Sequence, residues 1–208
     1  MSVLWIALTT ASWAHPATQD ELVAAVPKDA FGVTGPLINE LSGVTVGIEI
    51  TLTKDALVDG VPCSAQTFGV ADKTWGCHLS MDHTFGKYTV KAGEYAGIHL
   101  GSGTLRSLRM PSLTPATEQV ELGGVHCSDF LWLHPGGRLA GCKLVEDFAV
   151  GKRVFKANTE LQLYASGAAK SAMIYESHTW DGKTYPSGEV EFGETGEITN
   201  VNPGYHGD

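Results

Sequence analysis

The sequence predicts an all-β protein, an antiparallel meander of about five repeated β-hairpins that form an open curved or rolled sheet, with a short helical N-terminal cap. Three observations carry this. The first is internal repetition. Gly60-Val61-Pro62-Cys63-Ser64 returns as Gly124-Val125-His126-Cys127-Ser128, and Trp75-Gly76-Cys77-His78-Leu79 returns as Ala140-Gly141-Cys142-Lys143-Leu144. Two matched blocks at nearly the same separation define a unit, and its period of about 30 residues lies in the range of repeat architectures. The second is alternation. Ile98-His99-Leu100, Leu131-Trp132-Leu133, Leu161-Gln162-Leu163 and Val190-Glu191-Phe192 each place apolar residues at every other position, the pattern of a strand with one buried face. The third is punctuation. Each of these runs leads into a loop ending in glycine, at Gly103, Gly137, Gly167 and Gly196, and glycine tolerates the positive φ that such loops demand.

The elements follow in order. Met1 to Ala14 reads as a secretory signal, apolar from Val3 to Ala11 with small residues at Ser12 and Ala14. It lacks Lys or Arg in its first residues, and the alternative is a frayed apolar N-terminus. Residues 15–42 differ in composition from the repeats and read as an N-terminal cap or arm. Gln19 to Val26 fits a short helix capped at Thr18 or Asp20 and ended by Pro27, with a further helical turn at Pro36 to Leu41. Such a cap would cover the first exposed strand edge. The repeat domain spans 43–202 and begins with its clearest strand, Val44 to Thr53. Hairpins are expected at 61–80, 88–110, 125–145, 153–175 and 184–201. Asp82 to Lys87 and Ser177 to Lys183 match each other and read as connectors. Pro111 to Leu122 reads as a longer surface loop, and the segment from Asn202, residues 203–208 above all, as a flexible tail. One irregularity stands out. Leu139 lies two residues past Gly137, whereas Cys142 and Leu144 lie five and seven past it. A β-bulge would return all three to one face.

Composition narrows the function. The chain has 208 residues with 14 basic against 23 acidic side chains and a net charge of −9, and no basic cluster that would attract nucleic acid. No stretch reaches the ~18 apolar residues of a membrane-spanning helix. The motifs of serine hydrolases, P-loop proteins, zinc proteases and dinucleotide-binding enzymes are missing. No cofactor is expected.

The four cysteines fall in related repeats. In a flat sheet Cys63 and Cys127 would lie about four strands, or ~19 Å, apart, beyond the ~7 Å limit for a bridge. Pairing within each unit, Cys63 with Cys77 and Cys127 with Cys142, is therefore expected. A hairpin centred on its loop puts each pair out of register by two or three residues, so a bulge or curl is required. Reduced, buried thiols of a cytosolic protein are the alternative.

Cleavage after Ala14 would make His15 the N-terminal residue. An N-terminal histidine can hold copper through its amine and imidazole, as in lytic polysaccharide monooxygenases, and that is the one concrete form an enzyme takes here. His83 and His178 share a repeat position, His134 sits in a loop and His126 beside Cys127; their spacings match no zinc motif, and surface histidines are the plainer reading. Asp55, Asp82 and Asp147 occupy similar points in their repeats. They read either as a calcium-binding file or as caps on backbone amides, the commoner role. Trp75, Trp132 and Trp180 are the candidate surface anchors, because Trp is favoured at binding hot spots, with core packing as the alternative.

From Gly43 to Val201, the aliphatic or aromatic pair before each loop glycine resembles the glycine-punctuated β-hairpin repeats of bacterial MORN-like proteins. MORN units are shorter and carry a Tyr/Trp-Gly signature that this chain lacks, so no functional residue carries over. The expectation is an exported, periplasmic or secreted, non-catalytic protein that presents a sheet surface to a protein or cell-envelope partner or serves as a structural envelope component. The alternative is a copper-dependent enzyme built on His15.

Overall fold

The structure is a computed structural model that describes residues 16–38, 45–71, 73–113 and 118–204. Helix α1 (Gln19–Ala25) comes first. Thr18 caps it by accepting a hydrogen bond from the Glu21 amide (3.2 Å), and Glu21 accepts one from the Thr18 amide in return. This reciprocal box satisfies two amides that a helix start leaves unpaired. Leu22 anchors the helix by inserting into the core.

Strand β1 (Phe31–Ile38) pairs antiparallel with β2 (Thr45–Leu52). This corrects the helical turn expected at Pro36 to Leu41. Pro36 lies in β1 opposite Ile48, and an edge strand accepts a residue that cannot donate to a ladder. The rest of that turn, residues 39–41, lies outside the described residues. In β2 the alternation buries Ile50 and Leu52 but leaves Val46 exposed.

From there the chain alternates short and long hairpins. Strands β3 (Ala56–Val58) and β4 (Val61–Cys63) form a short one, and β5 (Thr67–Ala71) and β6 (Thr74–His78) a long one. Strands β7 (His83–Phe85) and β8 (Tyr88–Val90) are short, β9 (Tyr95–His99) and β10 (Leu105–Arg109) long. A 3₁₀ turn at Met110–Ser112 leads to β11 (Gln119–Leu122), which pairs with the first part of β12 (Val125–Leu133); β10 pairs with the last part of β12, and β13 (Leu139–Leu144) runs along its other side. Here the short hairpin is fused to the long one: Val125-His126-Cys127 stands where Val61-Pro62-Cys63 stands in the first unit, and Asp129, at φ 65°, interrupts β12 between its two roles. The alternation resumes with short β14 (Phe148–Val150) and β15 (Arg153–Phe155), long β16 (Glu160–Leu163) and β17 (Ala169–Ile174), short β18 (His178–Trp180) and β19 (Lys183–Tyr185), and long β20 (Gly188–Phe192) and β21 (Ile198–Pro203).

The long strands make one 13-stranded antiparallel sheet in the order β1-β2-β5-β6-β9-β10-β12-β13-β16-β17-β20-β21, with β11 beside the start of β12. Spatial order is chain order, as the predicted meander requires. The sheet is open, with β1 and β21 as its edges. Two expectations are corrected. Asp82 to Lys87 and Ser177 to Lys183 are not plain connectors but the first strands and turns of short hairpins that form a second layer. Asn202 and Pro203 pair with Glu189 and Gly188, so the strand, not a tail, holds them; residues 205–208 lie outside the described residues.

The core lies between the two layers. Val58, Phe85, Tyr88, Phe155 and Trp180 of the short hairpins join Ile98, Leu131, Leu161, Val190 and Phe192 of the sheet in one buried cluster. Neither layer could bury its apolar face alone. The bulge inferred from parity is present: Leu133 pairs with Leu139 but Trp132 with Gly141, which leaves Ala140 as the extra residue. The same skip leaves Lys170 extra in β17 and Thr199 extra in β21. Each follows a loop closed by glycine at positive φ, 81° at Gly137 and 91° at both Gly167 and Gly196, the conformation a side chain would resist.

Two disulfides, Cys63–Cys77 and Cys127–Cys142, have Cα separations of 5.7 and 5.6 Å. The expected pairing is the observed one. Each links the short-hairpin segment of a unit to its sheet strand, and each is two residues off register: Cys127 faces Leu144 rather than Cys142, and Cys63 faces Leu79 rather than Cys77.

Candidate functional site

The short hairpins cover one face of the sheet. The other face is where the chain has surface to offer. Register places one row of residues across it: Gly76 beside Gly97, then Ser107, Trp132, Gly141, Gln162, Ser171 and Glu191. The first half of this row is small residues around one aromatic. The second half is polar and acidic, with Glu160 and Glu189 in the adjoining row.

The glycines hold rings against the backbone. A side chain at Gly141 would meet Trp132 Cε3 at 2.9 Å, so the indole lies over that glycine. The Tyr95 ring lies over Gly76 in the same way. Mid-strand glycine often marks a close approach of this kind. Phe130 packs beside Trp132 with ring centroids 4.4 Å apart, and Arg109, paired across the strands with Phe130, reaches Asp129 at 3.5 Å. Burial raises the Tyr95 hydroxyl above its ordinary pKa. Farther along, Tyr175 donates to Glu160, and that carboxylate pushes its pKa up to about 12. Both phenols stay neutral at physiological pH.

The three tryptophans separate accordingly. Trp75 and Trp180 are core residues, 3 % and 4 % exposed, and offer no anchor at the surface. Trp180 packs against Phe155 and Phe192 and donates to the Val154 carbonyl at 3.0 Å. Trp132 alone among them is partly exposed on the open face.

The histidines form structural ties. His99 Nε2 donates to the Leu133 carbonyl (2.8 Å) and His134 Nε2 to the Leu163 carbonyl (3.1 Å). Tyr164 continues the series by donating to the Phe192 carbonyl (2.8 Å). Each loop is thus stapled to the next by the side chain that opens it. His178 donates to Val154, which links successive short hairpins. His126 lies between Glu121 and Glu146. Burial lowers the pKa of His83 and His99, and for His99 nearby Arg106 and His134 add to the effect.

The aspartates cap. Asp55, Asp82 and Asp147 accept hydrogen bonds from the amides of Ala65, Ala92 and Ala157 at 2.9, 2.8 and 3.0 Å, which closes the base of three short hairpins. Among the described residues no three His, Cys, Asp or Glu side chains gather as a metal site. His15 lies outside the described residues, as does the segment Met1 to Ala14 expected to be a signal. No described helix is long and apolar enough to cross a membrane.

No protein-family model matches this chain, and neither the curated proteins nor the solved structures contain a match. Tyr95 and Phe130 are the site residues that sequence reasoning missed. The available signal was the glycines Gly76, Gly97 and Gly141 inside strand patterns: Gly76 and Gly97 face each other, and Gly141 faces Trp132 once the register is known.

Proposed function

We propose that this chain is an exported, non-catalytic β-repeat protein, periplasmic or secreted, whose open sheet face binds a protein or cell-envelope partner. One observation carries the reading. Trp132 and Tyr95 lie on glycines of the uncovered face, Gly141 and Gly76, which are four strands or ~19 Å apart, and are held by the backbone beneath them. Rings fixed before binding lose little conformational entropy when a partner arrives, and Trp and Tyr are favoured anchors. Two intramolecular disulfides fit an oxidising compartment. The repeat-position aspartates and the loop histidines are already committed to backbone groups, which leaves them to hold the scaffold rather than to do chemistry.

The test is co-sedimentation of the oxidised protein with a cell-envelope fraction, followed by identification of the bound component. Trp132→Ala together with Tyr95→Ala should weaken capture at least tenfold while leaving the melting transition cooperative. Capture that the double variant retains in full, or no capture by the wild type, rejects the open face as the binding surface.

A further inference from the structure

Three clefts repeat along the edge where short-hairpin tips meet the loops of the long hairpins. In chain order their volumes are about 570, 320 and 400 Å³. Each is bounded by the closing glycines of two consecutive long-hairpin loops: Gly103 and Gly137, then Gly137 and Gly167, then Gly167 and Gly196. Each is also bounded by the short-hairpin turn above them. The residue just past that turn differs from unit to unit, and it determines what each cleft offers.

In the last cleft that residue is Arg153. Its side chain is 13 % exposed, Nη2 donates to Asp181 at 2.7 Å, Nη1 donates to the Gly196 carbonyl, and the guanidinium lies 5.4 Å from the Phe192 ring centroid. The chain fills this cleft with its own cation. In the middle cleft the residue is Val125, which is buried and apolar. In the first and largest it is Tyr88. This residue is 8 % exposed, yet its buried hydroxyl has no hydrogen-bond partner among the described residues. A buried donor left unpaired is costly, and native structures seldom leave one without a reason.

We infer that the first cleft binds a small aromatic carboxylate. Val61, Phe85, Leu105 and Leu133 give it apolar walls, and its volume falls in the range of small-molecule sites. The Phe85 and Tyr88 rings suit an aromatic body, which stacks or meets them edge-on. Tyr88 supplies the unpaired hydroxyl. Lys87, whose ammonium sits 5.2 Å from the Tyr88 ring centroid, forms no ion pair among the described residues and supplies the cation. A carboxylate accepts from both, and a charged acceptor makes the stronger bond. Two other titratable groups line the cleft. Burial lowers the His83 pKa, and Asp59, across the cleft, is engaged within the chain. This site is separate from the open sheet face, and either can fail without the other.

The experiment titrates the oxidised protein with naphthoate, naphthylmethanol and naphthylmethylammonium, followed by calorimetry and by backbone amide NMR shifts. Naphthoate should bind with a Kd below about 1 mM. Its shifts should centre on residues 59–61, 83–88, 103–105 and 133–137. The alcohol and the ammonium should bind at least fivefold more weakly. Tyr88→Phe, which keeps the ring and removes the hydroxyl, should cost naphthoate at least fivefold, as should Lys87→Gln. Tyr88→Arg, which reproduces the filling seen at Arg153, should abolish binding. Equal binding of all three probes, shifts centred elsewhere, no shifts at all, or a Tyr88→Phe variant with unchanged affinity would each overturn the assignment. Should Tyr88→Arg fail to fold, the Tyr88→Phe and Lys87→Gln results decide.

Discussion

At the scale of single residues, two tryptophans in one core are unequal. Both Trp75 and Trp180 are buried. Trp180 Nε1 donates to the Val154 carbonyl at 3.0 Å, whereas Trp75 Nε1 is buried with no partner among the described residues. Replacing an indole by a phenyl ring removes packing volume at either site. At Trp180 it also breaks a hydrogen bond, while at Trp75 it removes an unsatisfied donor that destabilises the native state. A net hydrogen bond contributes about 1 kcal/mol, and an unpaired buried group costs about 1–3 kcal/mol. Trp75→Phe should therefore destabilise by about 2–4 kcal/mol less than Trp180→Phe in urea unfolding monitored by circular dichroism. Equal losses would mean that packing alone sets the value of both side chains. The contrast was not readable beforehand. Both residues begin or end similar apolar runs, and what separates them is which carbonyl the neighbouring hairpin presents.

At the scale of the element, the short hairpins are the part of the repeat that needs outside support. Three-residue strands bring little intrinsic stability. Three of these hairpins are closed at the base by an aspartate that accepts from an amide ten residues on, as Asp82 does from Ala92. Asp82→Ala should cost about 1.5–3 kcal/mol, the cost of a hydrogen bond to a charged group, and Asp82→Asn, which keeps an acceptor, less than half of that. Hydrogen exchange would locate the effect. Amides of β7 and β8 should exchange faster in the alanine variant, while those of β16 and β17 keep their protection. Uniform acceleration across the sheet would instead show that the hairpin and the sheet open as one unit. These hairpins also mark the limit of what the sequence reveals. The long strands announce themselves through alternation and glycine-closed loops, and the parity shift after Gly137 correctly signals the bulge at Ala140. A three-residue strand is too short to show alternation, so His83-Thr84-Phe85 and His178-Thr179-Trp180 read only as matching connectors. The open-face site is less legible still. Tyr95 over Gly76 and Trp132 over Gly141 are contacts between neighbouring strands, and the exact register, which the bulges shift, decides which residue faces which glycine.

At the scale of the whole molecule, stability propagates from neighbour to neighbour, because each unit touches chiefly the one before and the one after. The loop staples are part of that coupling, and two of them are imidazoles. His99 reaches Leu133 as a neutral ring, with its pKa held below the ordinary value first by burial and then by Arg106 and His134. His83 is likewise lowered by burial. A histidine whose pKa is depressed on folding binds its proton more readily in the unfolded chain, so its contribution to stability is whole above about pH 6.5 and is lost as pH falls through that value toward the folded pKa. Carboxylates act in a separate, lower window. Asp29, Asp147 and Asp181 are held below their ordinary pKa chiefly by hydrogen bonds from Lys54, Lys156 and Lys152, so their contributions persist until pH falls below about 4. The urea midpoint should therefore begin a first decline as pH falls through about 6.5 and a second as it falls below about 4. In His99→Gln the amide can still donate to Leu133 but does not titrate, so the first decline should become shallower while the second is unchanged. A first decline of the same size in His99→Gln would assign it to His83. A midpoint with no first decline would mean that no imidazole changes its affinity for protons on folding, and that the loop staples contribute to stability independently of pH.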